Sequence, residues 1–170
     1  DGQKAGIGMI VQEMGTLANV SVAANVFVGG MERFRRHGFV NTALMNAEAD
    51  RALKQIGASD IRADMHTSLL NFEDKKIIEI ARAVYSEPDI LIIDETTTAL
   101  AQKGRAIIYR LIREMQEQNK AVIFISHDLD ELMSICNAIT VLRDGILIDT
   151  LTQEQMEINR MRELMVGREL

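Results

Sequence analysis

"ILIIDE", residues 90–95, is the stretch from which the rest of the chain is read. Four aliphatic residues in unbroken succession, bounded by Pro88 and by two acids, suit a strand covered on both faces, as in a parallel sheet. Such a strand delivers Asp94 and Glu95 to its carboxyl end, the edge at which open α/β sheets hold ligands. An Asp at that place can hold Mg²⁺, which favours hard oxygen donors and keeps part of its water shell. An adjacent Glu can orient or deprotonate a water for attack on a phosphate. Acids at a strand end also cap the next helix or simply face solvent, so the pair takes its meaning from its neighbours.

Downstream, short apolar runs alternate with helical patterns, the grammar of a parallel sheet with helical crossovers. Residues 121–125, "AVIFI", predict a second strand buried on both faces. Between the two, "KGRAIIYRLIREMQEQN" predicts an amphipathic helix with Ile107, Ile108, Leu111, Ile112 and Met115 inward, closed by Asn119. His127 directly follows the second strand, where a neutral imidazole can bond a phosphate or an attacking water. Ser126 and Asp128 around it can equally be the start of a helix, with His127 incidental. "AITVLRDGILIDTL" predicts a hairpin turning at Asp144 and Gly145, and a last helix is expected over residues 157–166.

Upstream the pattern is different. Residues 7–11 predict a buried strand that ends at Gln12, whose amide can bridge a metal and a water. From about residue 21 to residue 84 the periodicity is helical, and the block is expected to contain no strands. "TALMNAEADRALKQIGA" carries a stripe of Ala43, Ala47, Leu53 and Ile56 ended by Gly57. "FEDKKIIEIARAV" places Ile77, Ile80, Ala81 and Val84 on one face, with Lys75, Lys76, Glu79 and Arg82 mostly off it. The expected organisation is one α/β domain in which residues 13–86 form a mostly helical subdomain, with residues 1–12 and 87–170 as the remainder of the core.

Composition agrees with that class. With 170 residues the chain is long enough for one compact domain. Ten Met, no Trp and 4% aromatic residues make the core aliphatic and adaptable, which suits α/β better than a β-sandwich. A net charge of −6 argues against a nucleic-acid partner, because phosphate backbones demand a basic surface. Cys136 is the single cysteine, so no internal disulfide forms, and no apolar run reaches the ~18 residues of a membrane span. The expected compartment is the cytosol.

The order of these features is more specific than any one of them: a strand-end Gln, a helical block, a helix opening with a short polar motif, hhhhDE, then a strand-end His. In that order the chain resembles, along essentially its whole length, the ATP-binding subunit of an ABC transporter. "IVQEMGTLANVSVAANVFVG", "EIARAVYSEPDILIIDE" and the closing "LMVGREL" look most like the first cassette of the two-cassette ATPases that drive ribose-, galactose- and xylose-type sugar importers. The resemblance implies ATP and Mg²⁺ as cofactors, Gln12 as the Q-loop residue and second metal donor, Asp94 as the Walker B metal ligand, Glu95 as catalytic base and His127 as the switch histidine. It also implies membrane-spanning permease subunits as partners, a second ATPase cassette arranged head-to-tail, and indirectly a periplasmic sugar-binding protein. The place of work is then the inner face of the cell membrane.

Three departures qualify that picture. No G-x-x-x-x-G-K-[S/T] run occurs, and with it go the backbone N–H groups and Lys that cradle phosphates; the chain is expected to be a cassette truncated at its N-terminus. The family's signature resembles L-S-G-G-Q, a hydroxyl, glycine backbone and helix N-terminus that bind the γ-phosphate across the dimer. Here Leu70, Asn71, Phe72, Glu73 and Asp74 stand in its place. Asn71 can still donate a hydrogen bond, but Glu73 adds negative charge, and two like charges ~4 Å apart cost about 1 kcal/mol even in water. A weak or silent composite site is expected; Glu73 and Asp74 also serve as first-turn acids that favour their helix. Finally, Thr96 follows Glu95 where the family usually has Pro, which leaves that loop less rigid. The main alternative is a non-catalytic coupling or regulatory module that binds a permease; a DNA-repair ATPase is disfavoured by acidity and by the absence of long coiled-coil heptads.

Overall fold

The computed structural model describes residue 2 and residues 5–167. Residues 168–170 of the closing "LMVGREL" lie outside the described residues. Two compact units follow one another along the chain, Asp1–Ile123 and Phe124–Leu170.

The first unit is built on a sheet of order β1-β4-β5, with β1 at Ile7–Ile10, β4 at Ile90–Asp94 and β5 at Ala121–Ile125, the last strand running on into the second unit. β1 and β4 are parallel, in the register Ile7↔Ile90 to Ile10↔Ile93. Around them stand α1 (Val22–Val26), α2 (Thr42–Gln55), α3 (Phe72–Val84) and α4 (Gln102–Glu117). Leu91 and Ile93 of β4 are fully buried, as are Ile77 and Ile80 of α3. Gly8 lets β1 lie close to the end of α3, for a Cβ there would stand 2.7 Å from the Ala83 carbonyl oxygen and 2.9 Å from Pro88 Cγ.

The stops of α2 and α4 fall where the sequence predicts them, and side-chain caps open three of the helices. Ser21, Asn41 and Asn71 each accept a backbone N–H at the N-terminus of α1, α2 and α3. Gly57 and Asn119 take positive φ just beyond α2 and α4. All five apolar positions expected on the inner face of α4 are buried. No described helix is long and apolar enough to cross a membrane.

Four expectations are corrected. The helical stretch contains a small hairpin, β2 (Arg35–Arg36) and β3 (Phe39–Val40), which turns through His37 and Gly38, both at positive φ. The buried stripe of α2 is Met45, Ala49, Ala52, Leu53 and then Ile56, while Ala43 and Ala47 are exposed; alanines at helical spacing on two faces leave the rotation undecided. On α3, Lys76 and Glu79 are buried among the isoleucines rather than off them, because each has a polar partner. β5 is an edge strand among the described residues, with Ile123 51% and Ile125 46% exposed. An apolar run reports what a strand is made of and leaves open which neighbours cover it.

The second unit carries α5 (Leu129–Ile135), the antiparallel pair β6 (Ala138–Arg143) and β7 (Ile146–Thr152), and α6 (Ile158–Val166). The turn between the strands has both central residues, Asp144 and Gly145, at positive φ, the backbone that a tight two-residue hairpin requires. Leu132, Ile139, Val141, Leu151, Met156 and Met161 form its core.

Candidate functional site

Every residue that the sequence singled out in the first unit lies at the end of one of three elements. β4 ends in Asp94 and is followed by Glu95, and both are half-buried. The parallel register of β1 and β4 ends at Ile10↔Ile93, so Val11 and Gln12 follow the end of β1 on the same side of the sheet as Asp94, the last residue of β4, and Glu95. Parallel neighbours in a sheet are spaced ~4.8 Å apart. Gln12, Asp94 and Glu95 thus leave the sheet at one edge. The Gln12 side chain is exposed there.

Glu95 holds φ at 42°, a left-handed backbone uncommon for a residue with a side chain. Three threonines in succession fix the turn: Thr96 and Thr97 are 1% exposed, the Thr96 hydroxyl donates to the Asp94 carbonyl at 3.0 Å, and the Thr98 hydroxyl donates to the Glu95 carbonyl at 3.1 Å. Arg105 Nε of α4 donates to the Thr97 carbonyl at 3.0 Å. The loop expected to be less rigid for want of a Pro is therefore tied down by side chains, and Thr96 contributes through its hydroxyl.

As metal donors, Asp94 and Gln12 offer hard oxygens of the kind that Mg²⁺ takes. Among the described residues no group of three His, Cys, Asp or Glu converges as a metal cage. One carboxylate and one amide still fit an ion that keeps several waters and takes its remaining ligands from phosphate.

The segment 70–74 lies at the start of α3. Asn71 is exposed, and its Oδ1 accepts the Asp74 N–H at 2.8 Å, so the side-chain carbonyl is engaged as a helix cap. Glu73 reaches across to α4 and accepts the Gly104 N–H at 2.9 Å. α4 opens with Ala101 at its N-cap, which has no side chain to offer, and Glu73 supplies the missing acceptor from another helix. Burial pushes the Asp74 carboxyl above its usual range, with Asp60 and Glu73 adding to the effect against Lys103. The hydrogen bond from Lys103, at 2.6 Å, holds the exposed Asp60 carboxyl below its usual range.

Behind the strand ends lies a feature the sequence did not disclose. Lys76, fully buried, donates from Nζ to the carbonyls of Val11 at 2.9 Å, Gln12 at 3.3 Å and Glu13 at 3.0 Å, and to Glu79 Oε2 at 2.8 Å. Glu79 Oε1 in turn accepts the Gly15 N–H and the Thr16 hydroxyl. The available signal was two ionisable residues three apart inside an otherwise apolar helical face.

His127 belongs to the second unit, two residues beyond β5, and is exposed. Its neighbours start α5: Asp128 Oδ1 accepts the Glu131 N–H at 3.1 Å, and the Ser126 hydroxyl accepts the Asp128 N–H and donates to Glu131. Helix initiation by Ser126 and Asp128 is thereby observed beside the histidine. In the same unit burial pushes the Cys136 thiol up, with Glu131 adding to the effect.

With this geometry in hand, comparison with known proteins is informative. The sequence model of the ABC transporter family matches residues 2–98. A ribose import ATP-binding protein of Shouchella clausii is 36% identical over all 170 residues, which span 34% of that protein's length. A ribose import ATP-binding protein of Burkholderia ambifaria is 34% identical over 98% of this chain and 32% of its own. The chain thus spans about a third of the length of the curated relatives it matches. Among solved structures, the cbiO1 protein of Clostridium perfringens, part of an ABC transporter complex, is similar with a TM-score of 0.67 and 26% identity, over 96% of this chain and 62% of that one. The ADP conformation of an ATP-binding cassette of an ABC transporter shares the fold at a TM-score of 0.72 and 18% identity, over 98% of this chain and 70% of that one.

Proposed function

Because this chain belongs to the ABC transporter family, we propose that it forms part of the ATP-binding and ATP-hydrolysing subunit of a carbohydrate importer. The observation that carries the reading is the shared sheet edge at which β1 and β4 end, with Gln12 leaving one strand and Asp94 and Glu95 the other. On it, Asp94 and Gln12 hold Mg²⁺, whose chemistry is to neutralise the phosphate charge of ATP. Glu95 orients the attacking water and accepts its proton, and His127 is read, from its place in the order of motifs, as the switch histidine. The identity of 34–36% to ribose import ATP-binding proteins supports a sugar as cargo. Residues 13–86 are read as the helical part that meets permease subunits, and residues 1–12 and 87–170 as the remainder of the ATP-binding core. A second cassette and, indirectly, a periplasmic sugar-binding protein complete the partners, and the assembly works on the cytoplasmic face of the membrane. Since no G-x-x-x-x-G-K-[S/T] run occurs in these 170 residues, the phosphate loop on this reading comes from outside them. Residues 70–74 are read as a degenerate signature, in which Glu73 sets a carboxylate where a phosphate must approach.

The bond from Glu73 to α4 favours a second reading, a non-catalytic module that couples to a permease, because it gives the substituted signature a structural task. A chimaera separates the two: this chain replaces the matched segment of the Shouchella clausii relative, and Mg-ATP binding and hydrolysis are measured by calorimetry and phosphate release. The expected result is binding with turnover, and in Glu95→Gln retained binding with turnover reduced at least tenfold. Binding without turnover in either version supports the coupling module. A folded chimaera that binds no Mg-ATP overturns both assignments of the strand-end residues.

A further inference from the structure

We infer that Lys76 and Glu79 are positioning residues: a buried ion pair on α3 that holds the loop after β1, and with it Gln12, at the edge of the sheet. An ammonium stripped of water needs an acceptor for each of its three N–H bonds. Lys76 finds them in the carbonyls of Val11 and Glu13 and in Glu79 Oε2, all within 3.0 Å, with the Gln12 carbonyl at 3.3 Å as a shared fourth. Three consecutive carbonyls can face one ammonium only if the chain curls around it, since successive carbonyls of a strand point in opposite directions. The loop is therefore shaped by the cation, and a methylene stem of the same length could not replace it. Glu79 closes the other half, with Oε1 accepting the Gly15 N–H and the Thr16 hydroxyl. The Thr16 hydroxyl also lies 3.3 Å from the Lys75 carbonyl, and Arg82 donates to the Gly15 carbonyl at 3.4 Å.

The loop is thus held at the carbonyls of Val11, Gln12, Glu13 and Gly15, at the Gly15 N–H and at the Thr16 hydroxyl, while Gln12 itself stays exposed. That division suits a residue that must present its amide at a fixed place. The grip is contributed by the helix whose first turn is capped by Asn71. The functional meaning rests on the reading of Gln12 as a nucleotide-site residue; the grip itself rests on the geometry.

The test uses this chain. Lys76→Met leaves Glu79 buried without its counter-ion, so the decisive variant is Lys76→Met with Glu79→Met, which removes both charges and keeps the volume. Amide hydrogen exchange is followed by NMR, together with the motion of a nitroxide attached at position 12 in a Gln12→Cys, Cys136→Ser background. In the double variant the Gly15 amide is expected to exchange at least tenfold faster while amides of β4 and α4 keep their protection, and the spectrum at position 12 narrows to that of a mobile label. A label at exposed Val28 serves as control and stays unchanged. Equal loss of protection everywhere would show a pair that only stabilises the fold, and an unchanged loop would show no grip at all; either result overturns the inference. ATP hydrolysis by the chimaera bears on the proposed function alone, so the two can fail separately.

Discussion

Glu73 serves two elements at once. It lies in the first turn of α3, where a negative charge is favourable, and its carboxylate accepts the Gly104 N–H at the start of α4. Ala101 leaves that helix without a cap of its own, so Glu73→Ala should cost about 1–2 kcal/mol in urea unfolding, the scale of a lost helix cap or a charge-assisted bond. Replacement of Ala101 by Asp in the same background should recover part of that loss, because a side chain at the cap can then accept the bond. An unaltered midpoint in Glu73→Ala would mean that the contact contributes nothing. The same bond bears on any glycine substitution at position 73, which removes a structural contact while it removes a charge. None of this was legible at the residue scale, since the partners lie 31 positions apart and neither one predicts the other. What the sequence did reveal at that scale was a short-range contact, Asp128 as a cap three residues from its donor, whereas Asn71, read as a donor, instead accepts the Asp74 N–H.

At the scale of elements, β1 and α3 meet with little tolerance. Gly8 is the point of approach, and a methyl group there meets the Ala83 carbonyl and Pro88, backbone and ring atoms that do not swing aside. Gly8→Ala should therefore cost about 1–3 kcal/mol, the range for overpacking, read as a lowered urea midpoint with unchanged slope. A wild-type midpoint would show that the strand moves outward freely. Periodicity located α3, α4 and the hairpin of β6 and β7, because each has a recognisable stop: Pro88 beyond α3, Asn119 beyond α4, and Asp144 with Gly145 between the strands. It failed where the pattern was ambiguous. α2 has small residues on several faces, and two paired residues on each side of His37 and Gly38 are too few to show a strand period.

For the molecule as a whole, the exposed face of the edge strand β5 matters most. Ala121, Ile123 and Ile125 face one side of the strand and are exposed along it, at the edge of the sheet among the described residues. An uncharged apolar edge is a template for pairing with another chain. The 170-residue chain is expected to self-associate as its concentration is raised, and Ile123→Lys should shift it toward monomer in sedimentation velocity. A chain that stays monomeric without the lysine would show that this surface is inert. Composition gave the class of fold, and the order of motifs led to the family, since both are properties of the whole chain. The burial of a given strand depends on its neighbours, and the run "AVIFI" cannot report them.

The aromatic residues near α1 have a practical consequence. The Phe27 ring lies 4.6 Å from that of Phe34 and meets the Tyr85 ring edge-on at 4.8 Å, with the Arg33 guanidinium 5.2 Å above Tyr85. The chain has two tyrosines and no tryptophan. A tyrosine held in a fixed asymmetric setting gives a near-ultraviolet dichroism band that a freely rotating one does not, and loss of that band marks loss of tertiary packing. Tyr85 thus contributes, beside Tyr109 of α4, to a built-in optical readout of the first unit that includes the packing of α3 against the segment 27–34 and needs no label.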